Sequence, residues 1–307
     1  MTARHSAPTF LERMAAASRE RVTHARAAES DAKLARRAER TVRPPALKLD
    51  RFDVIAELKL RSPAAGGLAD AGFDKGAQLA AYARGGAAAV SVLTEPTEFK
   101  GDLAHLADAA AQLAPLRVPA MRKDFVTDPY QVLEARAAGA GGILVIVTML
   151  DDAAVRALVD SARECGLFVL LEAFDRTDLE RPAAYDEPSR VPAAGRRADD
   201  ATPPLAGGTP PVLAGVNCRD LRDLDVRFER FAELAPYLPK HLPTVAESGI
   251  ATADDVATVA RLGYRLALVG SSLMRAAEPG AALAALVAAG RAAVESRSAH
   301  ARARAER

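Results

Sequence analysis

Glu57 and Lys59 stand two residues apart, and Ser62 follows them at the start of a Pro-containing loop. Farther along, Arg122-Lys123-Asp124-Phe125, Glu172, Asn217-Cys218-Arg219-Asp220, Glu247-Ser248-Gly249 and Gly270-Ser271-Ser272 each lie at the end of a short apolar run. Carboxylates and ammonium groups gathered in one place perturb each other's pKa values, which suits general acid–base work. Ser248-Gly249 and Gly270-Ser271 offer hydroxyls and closely approachable backbone N–H groups, a common means of holding a phosphate, and Ser62 adds a hydroxyl. Taken singly, any Lys or Glu here reads equally well as a salt bridge at the rim of a fold. Taken together, Glu57, Lys59, Lys123, Glu172 and Glu247 point to an acid–base enzyme acting on a small phosphorylated metabolite, without metal or redox cofactor.

Other chemistries find less support. His5, His24, His105, His241 and His300 lie far apart and lack ligand spacing, so a metal centre is not expected. Cys165 and Cys218 are too few for a disulfide framework and fit reduced thiols in the cytoplasm. The glycines at 139, 141 and 142 precede an apolar run instead of following one and opening a helix, so they do not make a dinucleotide fingerprint. Neither a G-x-S-x-G nucleophile elbow nor a Walker loop occurs.

The elements that must position these groups follow a rhythm. Apolar runs at Val54–Leu60, Ala88–Thr94, Pro119–Phe125, Gly142–Val147, Phe168–Phe174, Val212–Cys218, Thr244–Gly249 and Leu266–Ser271 alternate with helical patterns. The helical patterns cover Asp74–Arg84, Asp102–Leu113, Pro129–Ala138, Ala153–Cys165, Phe228–Leu234, Ala253–Leu262 and Gly280–Ala289. Continuous apolar runs between amphipathic stretches indicate parallel strands buried on both faces. Eight β/α units fit an α/β fold of the (β/α)₈ TIM-barrel type, whose active sites form where the strands end. A doubly wound open sheet has the same periodicity and stays open as an alternative.

Around this unit, three segments differ. Residues 1–46 are Ala- and Arg-rich, read as a helical extension, and are halted by Pro44-Pro45. Between Phe174 and Val212 only Arg176–Tyr185 supports a short helix, and the stretch at about 186–211 is rich in Pro, Gly and charge, which reads as a mobile surface insertion, with a functional lid or partner-binding element as the alternative. Residues 291–307 read as a basic, disordered tail after a barrel spanning 47–290.

Composition agrees with a soluble cytoplasmic metabolic protein. Half of the 307 residues are hydrophobic and the net charge is +1, which excludes global disorder and nucleic-acid binding driven by total charge. No apolar run approaches the roughly 20 residues that span a bilayer, and no signal-peptide core is present. Residues 1–43 hold ten basic and five acidic residues and 291–307 hold five and two, so residues 44–290 carry a net charge of −7. A segment so charged must attract an anionic substrate with local groups. No partner protein is evident.

Seven segments, in order, resemble the indole-3-glycerol-phosphate synthase family: VIAELKLRSP (54–63), SVLTEPTEFKGDL (91–103), MRKDFVTDPYQVLEARAAGA (121–140), LLEAF (170–174), GVNCRDL (215–221), VAESGI (245–250) and ALVGSSLMR (267–275). The resemblance covers residues from about 50 to 285. It implies a TIM-barrel lyase of tryptophan biosynthesis that needs no cofactor and closes the pyrrole ring of 1-(2-carboxyphenylamino)-1-deoxyribulose 5-phosphate. The products would be indole-3-glycerol phosphate, CO₂ and water. By the same resemblance, Lys123 would be the general acid at the substrate carbonyl and Glu172 the acid–base partner in dehydration. Lys59 would hold the substrate carboxylate or donate a proton, while Glu57, Asn217 and Glu247 shape the network. Arg219 would lie near the substrate, with Phe99, Phe125, Leu144 and Leu268 cradling its ring. Ser62, Ser248, Gly249, Gly270 and Ser271 would take the phosphate, and the N-terminal helical segment would help cover this side of the barrel.

The chain departs from the family pattern in three places. The first loop reads RSPAAGG where the family usually has Ser-Pro-Ser followed by Lys and Gly, so a hydroxyl and a loop lysine are missing. The fifth run ends LLEAF where the family commonly has Val-Glu-Val-His, although Glu172 is kept. The Pro-rich connection is longer. Two other readings compete: another phosphosugar-barrel isomerase, which would share the phosphate site but not RKDF or VIAELK, and a non-catalytic paralogue that binds without turnover.

Overall fold

Each of the eight apolar runs forms a strand, and the eight strands close on themselves. The computed structural model describes residues 9–62, 66–68, 72–185, 210–219, 221 and 225–305. In it, β1 (Asp53–Leu58), β2 (Ala89–Leu93), β3 (Ala120–Lys123), β4 (Gly142–Ile146), β5 (Phe168–Ala173), β6 (Val212–Asn217), β7 (Thr244–Glu247) and β8 (Leu266–Val269) run parallel. β1 pairs with both β2 and β8, so the sheet is a closed barrel and not a doubly wound open one.

Period-two alternation sorts the side chains. Val54, Ala56 and Leu58 of β1, like Val169, Leu171 and Ala173 of β5, point out into the shell between strands and helices. Ile55, Met121, Leu144, Leu170, Leu213, Val245 and Leu268 point in and fill the barrel. The strands are buried on both faces, which is why the runs are continuously apolar.

Helices follow the strands as expected: α3 (Lys75–Arg84), α4 (Leu103–Leu113), α5 (Pro129–Ala137), α6 (Asp152–Glu164), α7 (Arg176–Glu180), α8 (Arg230–Leu234), α9 (Ala253–Leu262), α10 (Ser271–Arg275) and α11 (Pro279–Ala305). Asp74, Asp102, Asp128, Asp151 and Thr252 cap five of them by accepting a backbone N–H of the first turn. No described helix is long and apolar enough to cross a membrane. In the first loop, Arg61–Ser62 pairs antiparallel with Gly66–Gly67, a small ladder that the sequence did not suggest.

At the ends, the helical N-terminal extension is found and the reading of the C-terminal tail is corrected. The N-terminal segment is two helices, α1 (Phe10–Ala28) and α2 (Asp31–Arg40), divided at Glu29-Ser30. The Tyr130 hydroxyl, which bonds Ala25 O at 3.0 Å and Glu29 O at 2.8 Å, satisfies carbonyls at the end of α1 where the chain turns. The C-terminal segment is helical to Ala305 and not disordered beyond residue 290. Gly290 does not stop α11; it lets the helix approach β1, since a Cβ there would fall 2.1 Å from the Phe52 ring. Arg291 then donates to Phe52 O and Asp53, each at 3.1 Å, and fixes the helix beyond that point. The Pro-rich connection lies outside the described residues as far as residue 209.

Candidate active site

The inward positions at the C-terminal ends of the odd strands are Glu57, Lys123, Glu172 and Glu247. Register shows why they meet. Glu57 pairs with Ser91 and Ser91 with Met121, two residues short of Lys123. Glu172 pairs with Gly215 and Gly215 with Val245, two short of Glu247; Glu247 pairs with Leu268 and Leu268 with Ile55, two short of Glu57. This two-residue stagger is the tilt of the strands, so the four side chains form one layer contributed by alternate strands. Such layers are usually branched and apolar; this one is charged.

Within the layer, Lys123 Nζ lies 3.1 Å from Glu172 Oε2 and 3.5 Å from Glu247 Oε2. Asn217 Nδ2 donates to the other Glu172 oxygen at 3.0 Å, and the Arg219 backbone N–H donates to Asn217 Oδ1 at 2.9 Å. Lys59 Nζ meets Glu57 Oε1 at 2.5 Å. Glu172 and Glu247 are each 1% exposed, so their charges act in a low-dielectric setting. The contact of Glu247 with Lys123 is an ion pair only, and its carboxylate neighbour is Glu172, to which a protonated Glu247 can donate.

Electrostatics separates Lys123, Glu57 and Glu247. Burial opposes the Lys123 ammonium, but Glu172, Glu247 and Glu57 outweigh it and hold the lysine above its ordinary value. Burial pushes Glu57 up, yet Lys59 and Lys123 prevail and keep it below the carboxylate range. Glu247 goes the other way: burial and then the neighbouring Glu172 raise it well above that range, against the pull of Lys123. One layer therefore holds a firm cation, a firm anion and a carboxyl inclined to keep its proton.

Two glycines make room for the layer. A Cβ on Gly215 would stand 2.1 Å from Glu247 Oε1, and one on Gly270 would stand 2.3 Å from Glu57 Oε1 and 3.0 Å from Lys59 Nζ. After β7 the chain turns through two left-handed residues, Ser248 at φ 67° and Gly249 at φ 68°. A Cβ on Gly249 would approach Val226 Cγ1 at 2.8 Å and Cys218 Sγ at 3.0 Å. The Cys218 thiol, buried beneath this turn and bonded to Ser248 O at 3.3 Å, is pushed up to about 12 by burial, which removes it as a nucleophile.

The charged layer and the turn after β7 open on one cavity of about 320 Å³. Glu57, Lys59, Lys123, Glu172, Asn217 and Glu247 line its floor, and Ser248, Gly249, Gly270 and Ser271 line one side together with Arg219. Phe99, Phe125, Leu144 and Leu268 line it as well. Of the residues expected at the site, only Ser62 is not among the lining, and its side chain lies outside what the structure describes. Sequence reasoning missed Phe10, Glu95 and Arg275, which face the same cavity, as does Ser272 at the end of the eighth run. Phe10 comes from α1 and meets Phe125 edge-on, with ring centroids 5.9 Å apart; Phe125 in turn lies 6.4 Å from Phe99. Glu95 sits inside a segment whose spacing is conspicuous, but only a structure shows that its carboxylate turns inward.

The closed barrel and its charged upper layer, roofed by an N-terminal helix, define a (β/α)₈-barrel protein with an acid–base site at the strand ends. Comparisons narrow this class. A model of the indole-3-glycerol phosphate synthase family matches residues 11–187 and 208–286, and the chain belongs to that family. An indole-3-glycerol phosphate synthase from Nocardioides sp. is 43% identical over 227 residues, covering 74% of this chain and 76% of that protein. One from Parafrankia sp. is 41% identical over 244 residues, covering 80% and 81%. Among solved structures, 3-hexulose-6-phosphate synthase from Salmonella typhimurium has TM-score 0.53 at 12% identity, covering 80% of this chain and 100% of that one. Thiamine phosphate pyrophosphorylase from Pyrococcus furiosus has TM-score 0.52 at 13% identity, covering 80% and 98%. At such identity the likeness concerns the fold alone.

Proposed function

We propose that the cavity closes the pyrrole ring of 1-(2-carboxyphenylamino)-1-deoxyribulose 5-phosphate to give indole-3-glycerol phosphate, CO₂ and water. In this reading the protein is a carboxy-lyase. The observation that carries it is the Lys123 ammonium, held between Glu172 and Glu247 and facing a cavity with an aromatic wall. The ring carbon that bears the carboxylate attacks the ketone, and a carbon–carbon bond forms as the carbonyl electrons move to oxygen. Lys123 hydrogen-bonds that oxygen and protonates it, because an alkoxide is more basic than even a carboxylate-stabilised ammonium. Loss of CO₂ returns the bonding pair to the ring. The new hydroxyl then leaves as water with a proton from Lys59, and Glu172 takes the proton from the adjacent carbon. Asn217 keeps Glu172 oriented for that step.

Binding divides the cavity. Phe10, Phe99, Phe125, Leu144 and Leu268 pack the aromatic half of the substrate. Ser248, Gly249, Gly270 and Ser271 offer backbone N–H groups and hydroxyls to the phosphate, with Arg219 close by. The family places the reaction in tryptophan biosynthesis. Cys165 and Cys218 are not joined in a disulfide, which supports a cytoplasmic setting. The test is direct: purified protein given the anilino-ribulose phosphate should release one CO₂ per indole formed, read by indole fluorescence against a chain with no Trp. No fluorescence and no CO₂ would end the proposal.

A further inference from the structure

Helix α1 does more than roof the barrel. Its Arg21 reaches between the ends of β2 and β3 and meets two carboxylates, Asp124 at 2.7 Å and Glu95 at 3.7 Å. Both are buried, with side chains 1% and 0% exposed. Each organises a different part of the site. Asp124 follows Lys123 and accepts from Thr94 Oγ1 at 2.7 Å, from Arg122 at 3.0 Å and from the Phe125 N–H at 2.8 Å. It thereby fixes the backbone on which Lys123 and Phe125 stand. Glu95 accepts the N–H groups of Thr97, Glu98 and Phe99 at 2.9, 2.7 and 3.1 Å. Those three bonds wrap the β2–α4 loop around one carboxylate and aim Phe99 into the cavity.

We infer that Arg21 is a positioning residue that couples docking of α1 to the placement of both Lys123 and Phe99. It is the guanidinium that α1 sets between these two carboxylates, and its planar fork presents a separate nitrogen to each, Nη2 to Asp124 and Nη1 to Glu95. This inference rests on the proposed reaction for its kinetic part only. With α1 docked, the acid and the aromatic wall are set together; with Arg21 removed, each relaxes and the barrel itself stays closed.

The experiment compares the full-length wild type with Arg21→Ala, Arg21→Lys and Ser18→Ala. Ser18 accepts from Gln131 Nε2 at 3.0 Å and so loosens α1 without touching either carboxylate. Hydrogen exchange over residues 94–101 and 122–125 is the readout independent of activity, since Thr127 itself meets Ser18 and Gln131. Arg21→Ala should raise exchange in both segments while Ser18→Ala leaves them at the wild-type level. Equal effects of the two variants, or none from Arg21→Ala, would overturn the coupling even if the wild type made no indole. Given turnover, kcat/KM in Arg21→Ala should fall about 100-fold, the loss expected from misplacing a reacting group by about 1 Å, with Arg21→Lys recovering only part of it. In a Phe99→Ala background the KM effect of Arg21→Ala should shrink; strict additivity would show that Arg21 acts on helix stability alone.

Discussion

Glu247 and Glu57 sit in one layer of the barrel and answer pH with opposite signs. Glu247 is raised on folding, so stability is complete below the ordinary carboxylate value of about 4.3 and falls as pH rises above it, when folding must rebind a proton or bury a charge. Glu247→Gln should therefore gain on the wild type in melting temperature as pH goes from about 4 to 8; a widening deficit over that range would contradict the assignment. Glu57 is lowered on folding, so its contribution is present at neutral pH and is lost only as pH falls through its depressed value. Glu57→Gln should accordingly be destabilised at neutral pH, with the deficit closing in acid. These acids and bases were legible in the sequence because ionisable residues inside apolar runs need a reason to be there. Glu95 and Arg21 were not. Glu95 finds its partners in three backbone N–H groups of its own loop, and Arg21 finds its partners about 70 and 100 positions away. Neither arrangement leaves a periodic trace.

Among the elements, the turn from β8 into α10 is where backbone and chemistry are most tightly joined. Gly270 lies outside the left-handed region, at φ −124°, and the space around it is tight. Gly270→Ala would drive a methyl group into the Glu57–Lys59 pair. We expect about 1–3 kcal/mol of lost stability in denaturant titration. With it should come a fall in kcat/KM of roughly 100-fold; full activity would mean that the Glu57–Lys59 pair is not part of the reaction. The strands and helices were read closely from alternation and capping residues, down to the short helix at Arg176. What periodicity missed are the places where a third element intervenes. Tyr130 draws the N-terminal helix to an end at Glu29, and Phe52 receives α11 at Gly290, where a glycine reads locally as a stop.

For the whole molecule, closure could not be read from the sequence, because the β1–β8 pairing joins segments about 210 residues apart and leaves no local mark. Helix α11 lies behind that seam: Gly290 packs on Phe52, and Arg291 bonds Phe52 O and Asp53. Gly290→Ala should therefore lower global stability by about 1–3 kcal/mol while leaving turnover at low temperature close to wild type, since the layer of Lys123 and the glutamates stands at the opposite ends of the strands. Lost activity without lost stability would mean that the seam and the site are not separable. The charge of the molecule is divided in the same sense. Residues 44–290 carry net −7, and the cations facing the cavity are Lys59, Lys123, Arg219 and Arg275. An anionic substrate must thus be recognised by a few local groups, with Lys123 placed to act on the bond that changes. The most direct test is a single-turnover measurement of indole fluorescence with the anilino-ribulose phosphate, wild type against Lys123→Ala. We predict that the wild type forms indole and that the variant, still folded and still binding substrate, is slower by about 10²–10⁴-fold. Indole formed at the same rate by both proteins would contradict the role given to Lys123 and, with it, the account of this site.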